Sequence, residues 1–463
     1  VERLTPLADA FLEAEDVDPY ASLAIGSLAV FAGPAPAYEE LVETIVGRLP
    51  LIPRYRQKLR PVPLGLAAPA WVDDEHFDIH HHLRPITVPA PGGRRQVEEL
   101  LSRLMTTRMD RARPLWEYWF WTGLADGRWA LLSKVHHSVV DGVSGTDLYR
   151  LLLDPSPERR PGVPDTWLPE SSASTAEVTV GALRELLASP VHLAGTLAHA
   201  ARTPRRLVRT TARTTSGLLT LGGAVRPVHR SSLSGPLGGD RRYTWTTVPM
   251  DDLLTVRSAY DATVNDVALA AVTGGFRRLL LARGEPTDAH TLRSLVPVST
   301  RHPGEESVLE NRVSLMLPFL PVDVADPVAR LATIRRRIRG LRGHHEPEAG
   351  ESITEAAELS PFPSVSWGLR LGWRLPQHQI TTVTTNVPGP RTPLYALGRE
   401  ALEMLPYVPI ADRVRIGVAM FSYRDTLTFG ITGDRDSTAD LDVLAVGIAG
   451  SLAELVATTR RTG

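Results

Sequence analysis

The sequence predicts an α/β (α+β) protein of two mixed domains, over 1–165 and 240–463, joined by a long basic linker with one or two helices over 166–239. Three observations lead there. The chain has 463 residues, more than the roughly 100–200 of a single domain. Helical and strand patterns alternate through its first third and again from Arg241 onward. Between these regions, Leu186 to Gly239 contains no acidic residue but seven arginines, from Arg202 to Arg230, with leucine and alanine interleaved.

Each element has its own local reason. The uncharged run Pro19 to Tyr38 is long enough to span a membrane, yet Pro34, Pro36 and the alternation around Ser22, Gly26 and Ser27 indicate a buried strand. Leu41, Ile45 and Leu49 recur at helical spacing, as do Val97, Leu101, Leu104 and Met105. Ala70–Val72 and Ile86–Val88 read as strands between those helices. Asp154 to Thr175 is rich in Pro and Ser and reads as a loop leaving the first domain. Asp326-Pro327 is a helix start, with Asp as cap and Pro at the first helical position. Val328, Leu331, Ile334, Ile338 and Leu341 then form an apolar stripe. Arg413 to Thr432 reads as a hairpin around Ser422–Asp425, closed by the polar run Gly433–Asp436.

Composition narrows the class. The chain is 43% hydrophobic and 22% charged, which excludes a disordered, collagen-like or disulfide-stapled protein. Cysteine is absent, so a Cys nucleophile, a thiolate metal site and any disulfide are excluded. A net charge of −1 argues against a nucleic-acid binder. Lys58 and Lys134 are the only lysines, so the other 49 of the 51 basic residues are arginine, a bias that fits either phosphate grips or GC-rich coding. Val1 to Pro6 lacks a basic region ahead of an apolar stretch, so a cytoplasmic protein with peripheral membrane contact is expected. The acid-free arginine stretch fits a solvated connection, or a surface drawn to anionic lipid at about 1 kcal/mol per basic residue.

The pattern that carries chemistry runs from Pro114 to Asp154. Trp116, Tyr118 and Phe120 alternate with Glu117, Trp119 and Trp121 in an aromatic strand. Asp126-Gly127 is a hairpin turn signal. Trp129 to Val135 is nearly continuous apolar, as for a strand buried on both faces, and it delivers His136-His137 at its end. Asp141-Gly142 follows, then a helical pattern from Asp147 to Leu153. An imidazole fixed at the end of a buried strand suits general-base work near neutral pH, and Gly142 leaves room for a substrate beside the backbone. On these residues alone, structural, metal-binding and catalytic readings of the pair all stand.

His136-His137-Ser-Val-Val-Asp141-Gly142 resembles the HHxxxDG motif of the CoA-dependent acyltransferase superfamily. Pro114-Leu-Trp-Glu117, Asn265-Asp266-Val-Ala-Leu-Ala270, Leu295 to Arg301, Asn311 to Met316 and Asn386-Val-Pro-Gly-Pro390 narrow the resemblance to the bacterial wax ester synthase/diacylglycerol acyltransferase family. The opening Leu4 to Leu12 and the closing Leu427 to Asp436 fit as well, so the likeness spans nearly the whole chain. It implies two chloramphenicol acetyltransferase-like domains with a tunnel between them. Acyl-CoA is then a substrate, diacylglycerol or a long-chain alcohol the acceptor, and no cofactor is expected. Contact with a membrane or lipid droplet is implied as well.

The resemblance also assigns roles. His137 is the general base, and no acyl-enzyme forms, in line with the absent cysteine. The sequence also lacks a Gly-x-Ser-x-Gly elbow, since Gly142-Val-Ser144-Gly145 places its second glycine one residue early. His136 supports the loop, and Asp141 orients it or serves the next helix N-terminus, with Arg301 its positional partner. Asn265 faces the reacting carbonyl or caps the helix before Val267–Ala271, and Asp266 is structural. Asn386 begins a rigid turn that shapes the tunnel wall, and Pro114 and Trp116 pack beneath the active loop.

Other patterns are weaker. His344-His345 repeats the motif without its carboxylate and follows an arginine-rich helix, so it reads as a loop. His80–His82 has no zinc spacing and reads as a surface strand or loop, and Asp434, Asp436, Asp440 and Asp442 lack the glycine and glutamate of a calcium loop and read as polar turns. Two further functions remain open on the sequence: acyl transfer to a polyketide, sugar or carrier-bound acceptor, and a non-catalytic lipid-droplet protein.

Overall fold

A central strand buried on both faces organises the first half of the molecule. The computed structural model describes residues 2–63, 66–142, 153–169, 177–184, 228–299, 313–343 and 379–462. The helix expected from Asp147, the second histidine pair, Arg301, Asn311 and most of the basic linker lie outside these residues.

Helix α1 (Pro6–Val17) starts where Thr5 Oγ1 accepts the N–H of Ala8. Strand β1 (Ala24–Phe31) follows, then α2 (Tyr38–Val46), whose Leu41 and Ile45 are buried. A small hairpin, β2 (Gln57–Arg60) and β3 (Ala70–Asp73), stands apart from the main sheet. Next come a helical turn α3 (Ile79–His82), β4 (Leu83–Thr87) and α4 (Arg94–Thr106). Strands β5 (Trp116–Thr122) and β6 (Trp129–His136) form the aromatic hairpin. Its turn needs left-handed backbone at Asp126 (φ 60°) and Gly127 (φ 67°), the conformation that an Asp-Gly pair supplies.

The second half holds β7 (Arg241–Pro249), α5 (Met250–Ala259), α6 (Val264–Ala282), β8 (Ser294–Ser299), β9 (Val313–Met316) and α7 (Pro327–Gly343). The expected cap is present: Asp326 Oδ1 accepts the N–H of Ala329 at 2.7 Å. Then follow β10 (Thr382–Val387), β11 (Tyr395–Ala396), β12 (Arg399–Tyr407), β13 (Ile416–Tyr423), β14 (Thr426–Asp434) and α8 (Leu441–Thr462). Helix α8 is long and apolar enough to cross a membrane, yet it lays one face along α6 in the core.

Two six-stranded mixed sheets result, in the orders β11-β12-β1-β6-β5-β4 and β7-β14-β13-β10-β8-β9. In β6, Trp129, Leu131 and Val135 pack into one cluster with α1 and α2, while Ala130 and Leu132 pack against α4 on the other face. All eight residues of β6 are therefore buried, and the near-continuous apolar run has its reason. The second sheet rests Ile416, Val418 and Met420 of β13 on a cluster with α6, α7 and α8.

The halves are bound together by chain exchange. Strand β12 comes from the second half of the sequence but pairs with β1 of the first sheet, from Gly26 opposite Tyr407 to Phe31 opposite Ala401. Strand β14 then crosses β12 so closely that a Cβ at Gly430 would overlap the Pro406 carbonyl oxygen, which also accepts the Tyr243 hydroxyl at 2.9 Å. Arg94 of α4 stacks on Trp245 of β7, 4.1 Å from the ring centre, and donates to Thr244.

Two expectations are corrected. His80–His82 forms a helical turn rather than a surface strand or loop, and His82 is buried between Phe77 and Trp116. Asp434 is no surface turn: it lies buried at the end of β14 and accepts from Gly238 N–H and Ser437. Among the described residues, no group of three or more His, Asp or Glu is placed to hold a metal ion.

Candidate active site

The histidine pair sits where β6 ends and a 3-10 turn, His137–Gly142, begins. The main chain is held on both sides of the pair. His136 N–H donates to Leu115 carbonyl at 3.0 Å, and His137 N–H donates to Leu23 carbonyl at 3.1 Å. Leu115 is itself fixed by its neighbours. Pro114 is buried, and Trp116 stacks between Tyr55 and His82 while its indole N–H donates to Tyr55 carbonyl at 2.8 Å.

The two imidazoles have different surroundings. His136 is buried: Nδ1 meets Ser138 Oγ at 2.6 Å and accepts Ser138 N–H at 3.2 Å, while Nε2 makes no aligned hydrogen bond but lies within ion-pair distance, 3.3 Å, of Glu15 Oε1. His137 is partly exposed and stacks on Phe11, with ring centres 3.9 Å apart and planes inclined by 21°. Burial of its ring, with the neighbouring His136 adding to the effect, lowers its pKa to about 4. The imidazole is therefore neutral at pH 7, the form that accepts a proton.

Glu15 joins this cluster from α1. Its Oε1 also accepts Leu23 N–H at 2.7 Å, and its Oε2 accepts from Arg111 at 3.1 Å. Burial acts to raise its pKa, but His136, Leu23 N–H and Arg111 outweigh that and bring it down to about 2. The segment between α1 and β1 is pinned by Arg108, whose guanidinium donates to the carbonyls of Glu15, Asp18 and Ala21.

A second cluster lies on the other sheet. Asn386, in β10, donates from Nδ2 to Asn265 Oδ1 at 3.0 Å. Asn265 is the second residue of α6, so it does not cap that helix. Thr263 is the cap, accepting Asp266 N–H at 3.1 Å, and Asp266 Oδ2 accepts the Thr263 N–H and hydroxyl in return. The run after Asn386 is strapped to the β13–β14 hairpin: Gly389 N–H donates to Ser422 Oγ at 3.0 Å, and a Cβ on Gly389 would strike the Ser422 carbonyl.

Asp141 and Gly142 fall in the 3-10 turn; the Asp141 side chain lies outside the described residues, as does Arg301. Sequence reasoning missed Glu15 and Ser138. The available signal was a carboxylate four residues after Phe11, though the same helix also buries Asp9 and Glu13 beside Ala8, Ala10, Leu12 and Ala14, so the pattern alone does not single Glu15 out.

Two stacked-helix mixed sheets that exchange a strand, with paired histidines at the end of a buried central strand, define the class. A condensation domain of the calcium-dependent antibiotic synthetase shares the fold over 99% of this chain and 97% of its own, with TM-score 0.61 at 18% identity. Closer is a wax ester synthase/diacylglycerol acyltransferase from Marinobacter aquaeolei VT8, with TM-score 0.68 and 26% identity over 99% of this chain and 100% of its own.

Residues 4–268 match the wax ester synthase/diacylglycerol acyltransferase catalytic domain, and 309–456 match the C-terminal domain of the same family. A probable diacylglycerol O-acyltransferase of Mycobacterium tuberculosis, tgs1, is 42% identical over 100% of this chain and 97% of its own length. The chain belongs to the wax ester synthase/diacylglycerol acyltransferase family and is an acyltransferase.

Proposed function

We propose that the protein moves a long-chain acyl group from acyl-CoA to the hydroxyl of diacylglycerol or of a long-chain alcohol. His137 takes the hydroxyl proton as the oxygen attacks the thioester carbonyl. The carbon–sulfur bond then breaks, and the proton passes to the departing thiolate. The acceptor attacks directly, so no acyl-enzyme forms, and the reaction calls on no cofactor. Asn265 donates its amide N–H to the developing oxyanion, a contact worth roughly 3 kcal/mol where measured. Asp141 orients the turn that follows the histidines, Gly142 admits the substrate, and Asn386 holds Asn265.

The observation that carries this reading is the placement of His137: a largely buried imidazole, kept neutral at pH 7 by that burial, on a pinned main chain at the end of a buried strand. The acid-free stretch 186–239 and the exposed apolar Leu168, Val180 and Leu183 near its start support peripheral contact with an anionic lipid surface. Sedimentation with liposomes that ignores salt and anionic lipid content counts against that contact.

The test is a matrix of acyl-CoAs against acceptors with purified protein, read by thiol release. Diacylglycerols or long-chain alcohols are the expected acceptors. Their inertness beside a reactive sugar or carrier-bound hydroxyl overturns the lipid assignment. His137→Ala is expected to lose about a thousandfold or more in kcat with an unchanged circular dichroism spectrum. Wild-type turnover in that variant removes His137 as the base.

A further inference from the structure

We propose that Glu15 is a positioning residue of the histidine pair, acting through His136 and Ser138 on the main chain that carries His137. The inference rests on His137 as the base proposed above. A carboxylate on the apolar face of a helix is disfavoured unless its oxygens are used. Both Glu15 oxygens are used at this site: Oε1 accepts Leu23 N–H and lies 3.3 Å from His136 Nε2, and Oε2 accepts from Arg111.

The hydrogen bonds select one form of the His136 ring. Ser138 N–H donates to Nδ1, so Nδ1 carries no proton, and the ring proton lies on Nε2, toward Glu15 Oε1. Glu15 therefore sets which nitrogen faces Ser138, the residue just past His137. It also holds Leu23 from the other side, and Leu23 carbonyl accepts His137 N–H. Phe11 lies one helical turn before Glu15, on the same face, and stacks on the His137 ring. Helix α1 thus faces the two histidines with two side chains spaced four apart: a carboxylate 3.3 Å from the first and a ring stacked on the second. Without Glu15, the His136 ring loses its orientation and the main chain at His137 gains freedom. Such a loss falls on turnover rather than on substrate binding.

The test uses the full chain with an acyl-CoA and a long-chain alcohol. Glu15→Leu keeps apolar volume and removes the acceptor, whereas Glu15→Gln keeps an acceptor oxygen and removes the charge. The expected kcat is about a hundredfold lower for Leu and about fivefold lower for Gln, with both KM values within about threefold of the parent. Equal kcat in Glu15→Leu and the parent, or a change confined to KM, overturns the proposal. If Glu15→Leu does not fold, Ser138→Ala carries the comparison. There, about a tenfold drop in kcat at constant KM is expected, and an unchanged kcat overturns it. His137→Ala, measured alongside, separates the two readings. Turnover there removes the base itself, while an inactive His137→Ala beside a fully active Glu15→Leu removes only the positioning role.

Discussion

Asn386 donates its amide to Asn265 Oδ1 at 3.0 Å, tying the end of β10 to the first turn of α6. That bond fixes the orientation of the Asn265 amide, whose NH2 group is the donor in the proposed mechanism. Asn386→Ala is expected to lower kcat by about tenfold and Asn265→Ala by about a hundredfold, each with little change in KM. Because one acts through the other, the double variant is expected to match Asn265→Ala alone. Steady-state kinetics on the three variants checks this, and additive losses count against the coupling.

The pH profile follows from the lowered pKa of His137. A histidine at its ordinary value near 6.5 is roughly three-quarters protonated at pH 6 and loses activity accordingly. With His137 at about 4, kcat/KM is expected to stay flat from pH 8 to pH 6. An acid limb centred near 6.5 would assign the base to another group.

Acid stability separates Glu15 from His137. The folded pKa of Glu15, about 2, lies below its ordinary value of 4.5, so its contribution is complete above pH 4.5 and is lost as pH falls through 2. The size is about 3 kcal/mol. His137 behaves in the same sense over a higher window, from about 6.5 down to about 4. Urea midpoints against pH are expected to lose their steepest component below pH 4.5 in Glu15→Gln relative to the parent.

Asp154 anchors the chain that leaves the first domain. Its two oxygens receive Arg48 at 2.7 and 2.8 Å, Arg160 donates to Oδ1 at 2.8 Å, and its main chain pairs with Tyr395. Both Arg48 and Asp154 are buried, so Asp154→Ala strands a guanidinium and is expected to destabilise by roughly 3–5 kcal/mol. Chemical denaturation measures it, and a change below about 1 kcal/mol contradicts the account.

Two glycines test the strand crossing. Gly430→Ala places a methyl against Pro406 carbonyl where the two sheets meet and is expected to cost about 3 kcal/mol. Gly127→Ala meets open space and suffers only from its left-handed backbone, about 1 kcal/mol. The reverse order in thermal unfolding argues against the crossing.

Much of the local structure was legible in residue patterns, since local rules govern it. The Asp126-Gly127 turn, the apolar run Trp129–Val135 and the Asp326 cap each depend on neighbours within a few positions. The reading of Asn265 as a cap failed for a related reason: Thr263 and Asp266 form a reciprocal pair that outcompetes it two residues upstream. The burial of His82 is not legible locally, because Trp116, which covers it together with Phe77, lies well down the chain.

By itself, the sequence determined the strand and turn that present His136-His137, the two-sheet class, and the family resemblance carried by short motifs. Only the tertiary structure decided that β12 completes the first sheet, that Asn386 meets Asn265, and that Glu15 and Phe11 close on the histidines. Those contacts join residues more than a hundred positions apart. No periodicity records them, because their free energy comes from packing and from satisfying buried polar atoms once the chain has closed on itself.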